Sequence, residues 1–222
     1  MKKRKNIITV AIDSPAAAGA GTQAKLIAQA YNLIYLDTGK IYRYIGWLRL
    51  SKNKSFSLLF IKKKIKKLRI NELQNKKLLS DKVALSASII AKDKKIRNII
   101  KEFQLNIAYK PPQKFSGSVL DGRDITSIIM KDAMFKFFIN ANLNIRAKRR
   151  YLEYKKLKNK ITFKEVLKNL KKRDKFDKNR RYSPLVKTED SILINTSKLS
   201  KKACFNKIKK IMDKKLKVNG NI

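Results

Sequence analysis

Ile7-Ile-Thr-Val-Ala-Ile-Asp13 is the segment that decides the fold, together with the loop after it, Ser14-Pro-Ala-Ala-Ala-Gly-Ala-Gly-Thr22. The first segment is a short apolar run rich in β-branched residues, which is typical of a buried parallel strand. A helical pattern from Gln23 to Ala30 follows the loop. Strand, small-residue loop and helix in this order predict a site where backbone N–H groups and the positive end of the helix bind phosphate oxygens.

The loop departs from the usual phosphate-loop pattern, G-x-x-x-x-G-K-[ST]. Ser14 replaces the first glycine and Ala20 replaces the lysine, whereas Gly21 and Thr22 keep the end of the pattern. Thr22 stands where a hydroxyl would bind Mg²⁺. The loop by itself therefore leaves two interpretations equally open, a phosphate site and a plain tight turn between a core strand and a helix. In the first interpretation, ATP is bound by nine consecutive residues: Ser14, Pro15, Ala16, Ala17, Ala18, Gly19, Ala20, Gly21 and Thr22.

Length and composition indicate one α/β domain and narrow its chemistry. The chain has 222 residues, and an apolar fraction of 43% is enough for a hydrophobic core. Cys204 is the single cysteine and histidine is absent, which excludes an internal disulfide, His-based triads and His or Cys metal clusters. Arg, Lys, Asp, Ser and Thr remain, a set suited to phosphoryl transfer, where positioning and charge neutralisation do most of the catalysis.

The net charge of +40 has two interpretations. One is nucleic-acid binding, because a basic chain is attracted to polyphosphate. The other is a compositional bias toward Lys, Asn and Ile, as AT-rich codon usage would produce. The lysines are dispersed and show no regular interleaving with aromatic residues, so we favour the bias and expect no specific nucleic-acid partner.

The basic N-terminus, Met1 to Lys5, resembles the charged region of a signal peptide. The apolar run after it is interrupted at Asp13 and no cleavage site follows, so we reject that interpretation. No apolar stretch reaches the length needed to span a bilayer. We therefore expect a cytoplasmic protein without a membrane partner, with a monomer as the default.

Strands alternating with helices predict a five-stranded, parallel, doubly wound sheet with helices on both faces. The predicted strands are Ile7–Asp13, Leu33–Leu36, Ser118–Asp121, Phe135–Ile139 and Ser191–Asn195. After the first helix, the sequence predicts helices over Lys40–Leu50, Phe163–Arg173 and 201–217. It also predicts a helix capped by Asn142 and shows helical spacing of apolar residues over 83–100. The predicted single domain of residues 1–222 has a core of 1–50, 83–142 and 185–222, a mostly helical or irregular, mobile insertion at 51–82 and a helical lid at 143–184. Pro111, Pro112 and Gly117 are predicted to form a linker.

Charged residues follow several of these elements. Asp121 ends a strand, the place where a Mg²⁺-organising carboxylate would lie. Arg123 and Asp124 offer a cation and an acceptor together, although a structural ion pair explains them equally well. The basic stretch 173–184 suits forked recognition of phosphate by arginine, but it is also consistent with an ordinary solvated loop.

Taken together, the motifs resemble those of the bacterial cytidylate kinase family, nucleoside monophosphate kinases with a P-loop NTPase fold. They occur in order over nearly the whole chain: Ala11-Ile-Asp-x-Pro, Leu36-Asp-Thr-Gly-x-x-Tyr-Arg43, Asp121-Gly-Arg-Asp124, Arg173-Asp-x-x-Asp-x-x-Arg180 and Ser183-Pro-Leu185. Each motif is weak alone, and the set is specific.

The resemblance implies transfer of the ATP γ-phosphoryl group to CMP or dCMP, with Mg²⁺ held at Thr22 and Asp121. It implies that Arg43, Arg123 and Arg180 bind the CMP phosphate near Thr38. It further implies that the base contacts Ser88, Arg97 and Asp124, that the sugar contacts Arg173 and Asp177, and that Arg149 or Arg150 of the lid contacts ATP or the transferring group.

The chain departs from the family pattern in two places. The phosphate-loop lysine is Ala20, and the segment between Arg43 and Ser88 is short and lacks an Asn-Gly hairpin signal. We hypothesise that Lys40, beside the phosphate site, supplies the missing charge, with Lys25 as a weaker rival and an ordinary surface lysine as an equal alternative. The sequence therefore predicts a (d)CMP kinase with catalytic residues Arg123, Arg180, Lys40 and Arg149. The alternatives are a CMP-binding protein impaired in catalysis, a basic nucleic-acid-binding module and a kinase that prefers another acceptor such as UMP.

Overall fold

A computed structural model describes residues 7–51, 56–156 and 160–218. Its sheet has five parallel strands in the order β2-β3-β1-β4-β5, which confirms the predicted fold class. The strands are β1 (Ile8–Asp13), β2 (Leu33–Asp37), β3 (Gly117–Gly122), β4 (Phe135–Asn140) and β5 (Ile192–Asn195). The predictions for Met1 to Lys5, for 52–55 of the insertion and for 157–159 of the lid lie outside the described residues.

The central strand is β1, whose six residues are all buried. It pairs with β3 on one side and β4 on the other, so the loop after it leaves the middle of the sheet. Gly117 was expected in a linker, but it begins β3 opposite Ile8. A Cβ on Gly117 would lie 1.8 Å from the Ile8 carbonyl oxygen, so only glycine lets the two strands approach here.

Eight α-helices occur in the described residues, and they cover both faces of the sheet. They are α1 (Ala20–Ala30), α2 (Thr38–Ser51), α3 (Leu58–Lys67), α4 (Asp81–Ile90), α5 (Lys94–Tyr109), α6 (Leu143–Lys156), α7 (Phe163–Asn179) and α8 (Lys201–Val218). Alternate residues of β1 face opposite ways: Ala11 joins the core under α2 and α5, whereas Val10 and Ile12 join the core under α1 and α8.

The part of the insertion that the structure describes, 56–81, is helical and packs on the main core. It consists of α3 and two short 3₁₀ helices, Ile70–Gln74 and Lys76–Leu79. Ile61, Leu73 and Leu78 are buried in the same cluster as α2 and α5. The helical spacing predicted over 83–100 is divided between α4 and α5, because the Asp93 side chain caps α5 by accepting hydrogen bonds from Lys95 N and Ile96 N.

The last helix of the predicted lid is longer than the sequence suggested. α7 starts at a capping box, in which Thr162 and Glu165 exchange hydrogen bonds, and it continues to Asn179. Arg173 and Asp177 therefore lie on the helix and not in a loop, and Arg180 is its C-terminal cap. The sequence prediction ended the helix too early because its last turns are charged. The lysines and Arg173 in them are good helix formers, and Asp177 is buried.

Candidate active site

The predicted phosphate loop connects the carboxyl end of β1 to α1. Ser14 N donates a hydrogen bond to Gly122 O at 3.2 Å, which ties the start of the loop to the end of β3. Gly19, the N-cap of α1, has φ +97°, and Ala17 has φ +61°, a left-handed conformation that favours glycine. Ala20, Gly21 and Thr22 form the first turn of the helix, whose free N–H groups and dipole favour an anion.

Two arginines of α6 contact the backbone of this loop. Arg146 Nη1 donates to Ala16 O at 3.1 Å, and Arg149 Nη1 donates to Ala18 O at 3.3 Å. The hydroxyl of Thr196, immediately after β5, donates to the same Ala18 oxygen at 2.9 Å. Sequence reasoning gave Thr196 no role, although its place after a strand at the carboxyl edge of the sheet was an available signal.

Asp121, the predicted metal ligand, is buried beside two other acidic side chains. Burial and the Asp37 carboxylate raise its pKa to about 8, although a hydrogen bond from the Tyr35 hydroxyl and the nearby Arg123 oppose this shift. Asp121 Oδ1 is buried and has no hydrogen-bond partner among the described residues. An added divalent cation would reduce the repulsion between these carboxylates and would give the unpartnered oxygen a positive partner.

Within the described ranges, no three His, Cys, Asp or Glu side chains form a group that could hold a metal ion. This is compatible with Mg²⁺, which proteins usually bind through one or two side chains while substrate phosphates and water complete the shell. The Asp121 carboxylate and the Thr22 hydroxyl, in the first turn of α1, are oxygen ligands of the right kind. The two predicted ligands therefore fit Mg²⁺ bound together with a nucleotide.

Asp13 holds the segment after the Asp121-Gly-Arg-Asp124 motif against the end of β1. Its carboxylate accepts hydrogen bonds from Ile125 N, Thr126 N and the Thr126 hydroxyl at 2.8, 2.8 and 2.6 Å. Burial nevertheless raises the pKa of Asp13 to about 6. All three hydrogen bonds are made within the protein, so the Asp13 side chain fixes the chain segment next to Arg123 and Asp124.

Thr38 and Gly122 meet at the same edge. Thr38 Oγ1 donates to the Asp121 carbonyl oxygen at 2.8 Å, so the predicted phosphate-site hydroxyl has a backbone partner. A Cβ on Gly122 would lie 2.5 Å from that hydroxyl oxygen. Glycine in the motif is explained by this close approach between β3 and the start of α2.

The predicted base-reading residues Arg97 and Asp124 form a buried salt bridge, with side chains 9% and 7% exposed. Arg97 Nη1 also donates to Ala91 O at 3.2 Å, and its guanidinium lies 5.4 Å from the centre of the Tyr42 ring. Ser88, the third predicted base contact, is exposed, and its hydroxyl donates to Ala84 O within its own helix. The structure thus brings two of the three residues together directly.

Two of the predicted phosphate-binding arginines, Arg123 and Arg180, lie around Asp177 on α7, together with Arg173, a predicted sugar contact. Arg123 Nε lies 2.9 Å from Asp177 Oδ2, and the nearest contacts of Arg173 and Arg180 to this carboxylate are 3.8 and 3.9 Å. Arg180 also donates to Ser183 O, and its buried Nη2 has no hydrogen-bond partner among the described residues. An anion at this position would be an acceptor for that nitrogen.

Two further arginines extend the same cluster. Arg43 interacts electrostatically with Arg173 and donates to Leu78 O at 2.8 Å, and Arg97 interacts with Arg180. Five guanidinium groups therefore lie around two carboxylates, those of Asp124 and Asp177. The surplus of positive charge gives this cluster a potential that would attract a multiply charged anion.

Lys40 stands apart from this arrangement. Its ammonium group, in the first turn of α2, donates to Gln74 Oε1 in the insertion at 2.9 Å. Lys25, the weaker rival, is exposed on α1. Neither position tests the hypothesis that Lys40 supplies the charge missing at Ala20, which stays a prediction.

Comparisons with known proteins agree with the motif set. The family model for cytidylate kinase matches residues 10–214. A cytidylate kinase of Clostridium tetani is 37% identical over 221 residues, covering 93% of this chain and 94% of the relative. One of Bartonella tribocorum is 43% identical over 199 residues, covering 88% and 90%. One of Thermosipho melanesiensis is 38% identical over 219 residues, covering 94% and 98%.

Among solved structures, an uncharacterized protein from Eubacterium ventriosum matches with a TM-score of 0.56 and 19% identity, covering 93% of this chain and 98% of that one. At this identity the match supports the fold alone. Across the parts of the chain that the structure covers, none of the helices has both the length and the apolar character to traverse a bilayer.

Proposed function

The chain belongs to the cytidylate kinase family, and on this premise we propose that it transfers the γ-phosphoryl group of ATP to CMP or dCMP, giving ADP and CDP or dCDP. The observation that carries the proposal is the surplus of five arginines over two carboxylates next to the phosphate loop. The Ser14–Gly122 hydrogen bond ties this loop to the residue before Arg123, which supports a donor site and an acceptor site at one edge of the sheet. A phosphoryl donor and a phosphate acceptor can therefore be held side by side.

In the reaction, an oxygen of the CMP phosphate attacks the γ-phosphorus in line, and the bond to the bridging β–γ oxygen breaks to release ADP. Arg43, Arg123 and Arg180 neutralise the acceptor phosphate and orient its attacking oxygen. The N–H groups of the phosphate loop and of the first turn of α1 bind the donor phosphates. Mg²⁺, held by Thr22 and Asp121, would neutralise charge on ATP.

The base is read by Arg97 and Asp124. The guanidinium offers N–H donors and the carboxylate offers acceptor oxygens, so the pair can match both kinds of group on the cytosine edge. Arg173 and Asp177 are the predicted partners of the sugar hydroxyls. The helix pair α6 and α7 is the predicted lid, which would exclude water that otherwise competes as an acceptor.

The first test is ADP production from Mg-ATP with CMP, dCMP, UMP or AMP as acceptor, at moderate salt. We expect turnover with CMP or dCMP well above that with UMP and AMP. A folded protein that forms no ADP with any of the four acceptors above the rate without acceptor would overturn the proposal. CMP binding without turnover would indicate the impaired, CMP-binding alternative.

A matched pair of variants tests the acceptor site. Arg180→Ala removes one preorganised cation, and we expect a loss of about 100-fold or more in kcat/KM for CMP with little change in the KM for ATP. Lys178→Ala removes an equal charge from an exposed position two residues away and is the control. Equal effects of the two variants would show that net charge, and not the site, is responsible.

A further inference from the structure

The side chain of Arg149 lies against the phosphate loop from which the lysine is missing. Its Nη1 donates to Ala18 O, at 3.3 Å, and to Thr196 Oγ1, at 2.9 Å, while Nη2 donates to Thr196 O at 2.7 Å. A Cβ on Gly19 would lie only 3.9 Å from the same Nη1. The guanidinium is therefore held at the last two residues before α1 begins at Ala20.

This contact fixes the orientation of one peptide plane. In a trans peptide the C=O and the following N–H point in opposite directions. Arg149 and Thr196 both donate to the Ala18 oxygen, so the Gly19 N–H is directed to the other side of the loop. Arg146 does the same two residues earlier in the loop by donating to Ala16 O, which directs the Ala17 N–H away from α6.

The two arginines differ in their charge balance. Arg146 forms a salt bridge with Asp174 at 2.5 Å, so a carboxylate neutralises it. Arg149 has no salt bridge among the described residues, and its hydrogen bonds there go to two carbonyl oxygens and a hydroxyl. Its positive charge therefore remains to act on an anion bound at the loop.

We propose that Arg149 is the positioning residue that compensates for the missing phosphate-loop lysine in this chain. It holds the Ala18–Gly19 peptide with its N–H toward the ATP phosphates, and its positive charge acts on them from the opposite, carbonyl side of that peptide. The inference rests on the proposed function, because it takes the loop as the ATP site. Lys40 is the rival for the same charge. Its ammonium group contacts Gln74 in the insertion, whereas Arg149 contacts the loop itself.

The test compares Arg149→Lys with Arg149→Gln, because both lose the guanidinium fork but only the first keeps the charge. We measure kcat and KM for ATP and CMP separately, and we measure affinity for a fluorescent ATP analogue by titration. Arg149→Gln should lower kcat/KM for ATP by about 30-fold or more and leave the KM for CMP within twofold. Arg149→Lys should have a kcat/KM for ATP at least about tenfold higher than that of Arg149→Gln. Lys148→Ala, at an exposed position on the same helix, is the control for net charge.

Ala20→Lys in the Arg149→Gln background adds a second measurement, and we expect it to recover part of the lost activity. The inference is overturned if Arg149→Gln keeps ATP kinetics within twofold of the wild type, or if the Lys and Gln variants lose equally, which is the result for a purely structural clamp. Failure of the proposed function looks different: the wild type would form no ADP with CMP. The titration would still compare the variants in that case.

Discussion

Gly46→Ala is the substitution for which the structure gives opposing effects of known size. Gly46 lies in α2 where this helix crosses α4. A Cβ at this position would lie 2.8 Å from Ala87 N, 3.1 Å from Val83 O and 3.2 Å from Ala87 Cα. All three are backbone atoms, so no side-chain rotation can relieve the contact and α4 itself must move.

Two free-energy terms decide the outcome. Alanine favours the helix over glycine by about 1 kcal/mol. Overpacking against a fixed neighbour costs about 1–3 kcal/mol, and ordinary van der Waals separation requires α4 to shift by roughly half an ångström or more. We expect the second term to exceed the first, with a net loss of about 1 kcal/mol in the free energy of unfolding.

The displacement should also reach the acceptor site, because α4 carries Ser88 and leads into the turn before Arg97. We expect the KM for CMP to rise by about fivefold, which corresponds to a loss of about 1 kcal/mol in binding free energy. The KM for ATP should stay the same. Urea unfolding and steady-state kinetics measure the two effects, with Leu50→Ala, on the exposed side of α2, as the control. A variant stabilised by about 1 kcal/mol with unchanged KM for CMP would refute the packing argument.

Three further predictions concern the loop and the buried charges. Ala17→Gly relieves a left-handed alanine and should stabilise the protein by about 1 kcal/mol in urea unfolding; a lower midpoint would contradict this. Asp13 has a pKa of about 6 in the folded protein against an ordinary 3.8, so folding favours its protonated form. Its contribution to the free energy of unfolding is therefore present below pH 4 and is lost as the pH rises through 6. The stability advantage of wild type over Asp13→Asn should therefore shrink by about 2 kcal/mol between pH 4 and 7, whereas a pH-independent difference would rule this out. Asp124→Ala leaves the Arg97 charge buried without its partner and should lower the free energy of unfolding by about 3 kcal/mol. The double variant Arg97→Ala, Asp124→Ala should regain part of this loss. A double variant less stable than the single one would count against an unpaired charge as the cause.

The sequence predicted the sheet well because its strands carry a simple signal. Each strand is a short apolar run, and β1, with all six residues buried, is the clearest example. The errors occur where tertiary contacts override local patterns. Gly117 resembles a linker glycine next to two prolines, but the close approach of Ile8 requires it inside a strand. Asp177 resembles a polar loop residue, but three arginines stabilise it within a helix.

The site was predictable in its composition and less so in its contacts. Motif order singled out Asp121 and Asp124, and the family resemblance added Arg97. In the structure Asp121 lies at the end of β3, and Arg97 on α5 forms a salt bridge with Asp124. The place of Thr196 after a strand was a signal that it lies near the site. Its hydrogen bond to the loop, and that of Arg149, could not be predicted, because they join residues far apart in sequence through a backbone carbonyl.

The support that Thr196 gives to the loop also has a consequence for synthesis of the chain. The loop at 14–22 is synthesised early. The strand that ends beside it, β5, and the helix that packs on α1, α8, lie much later in the chain, within residues 192–218. Gln23 and Tyr31 of the first helical region also bond to the α8 residues Lys201 and Asp213. A nascent chain that has been synthesised only as far as α7 therefore lacks both Thr196 and α8, and its predicted phosphate loop is without these supports until they emerge.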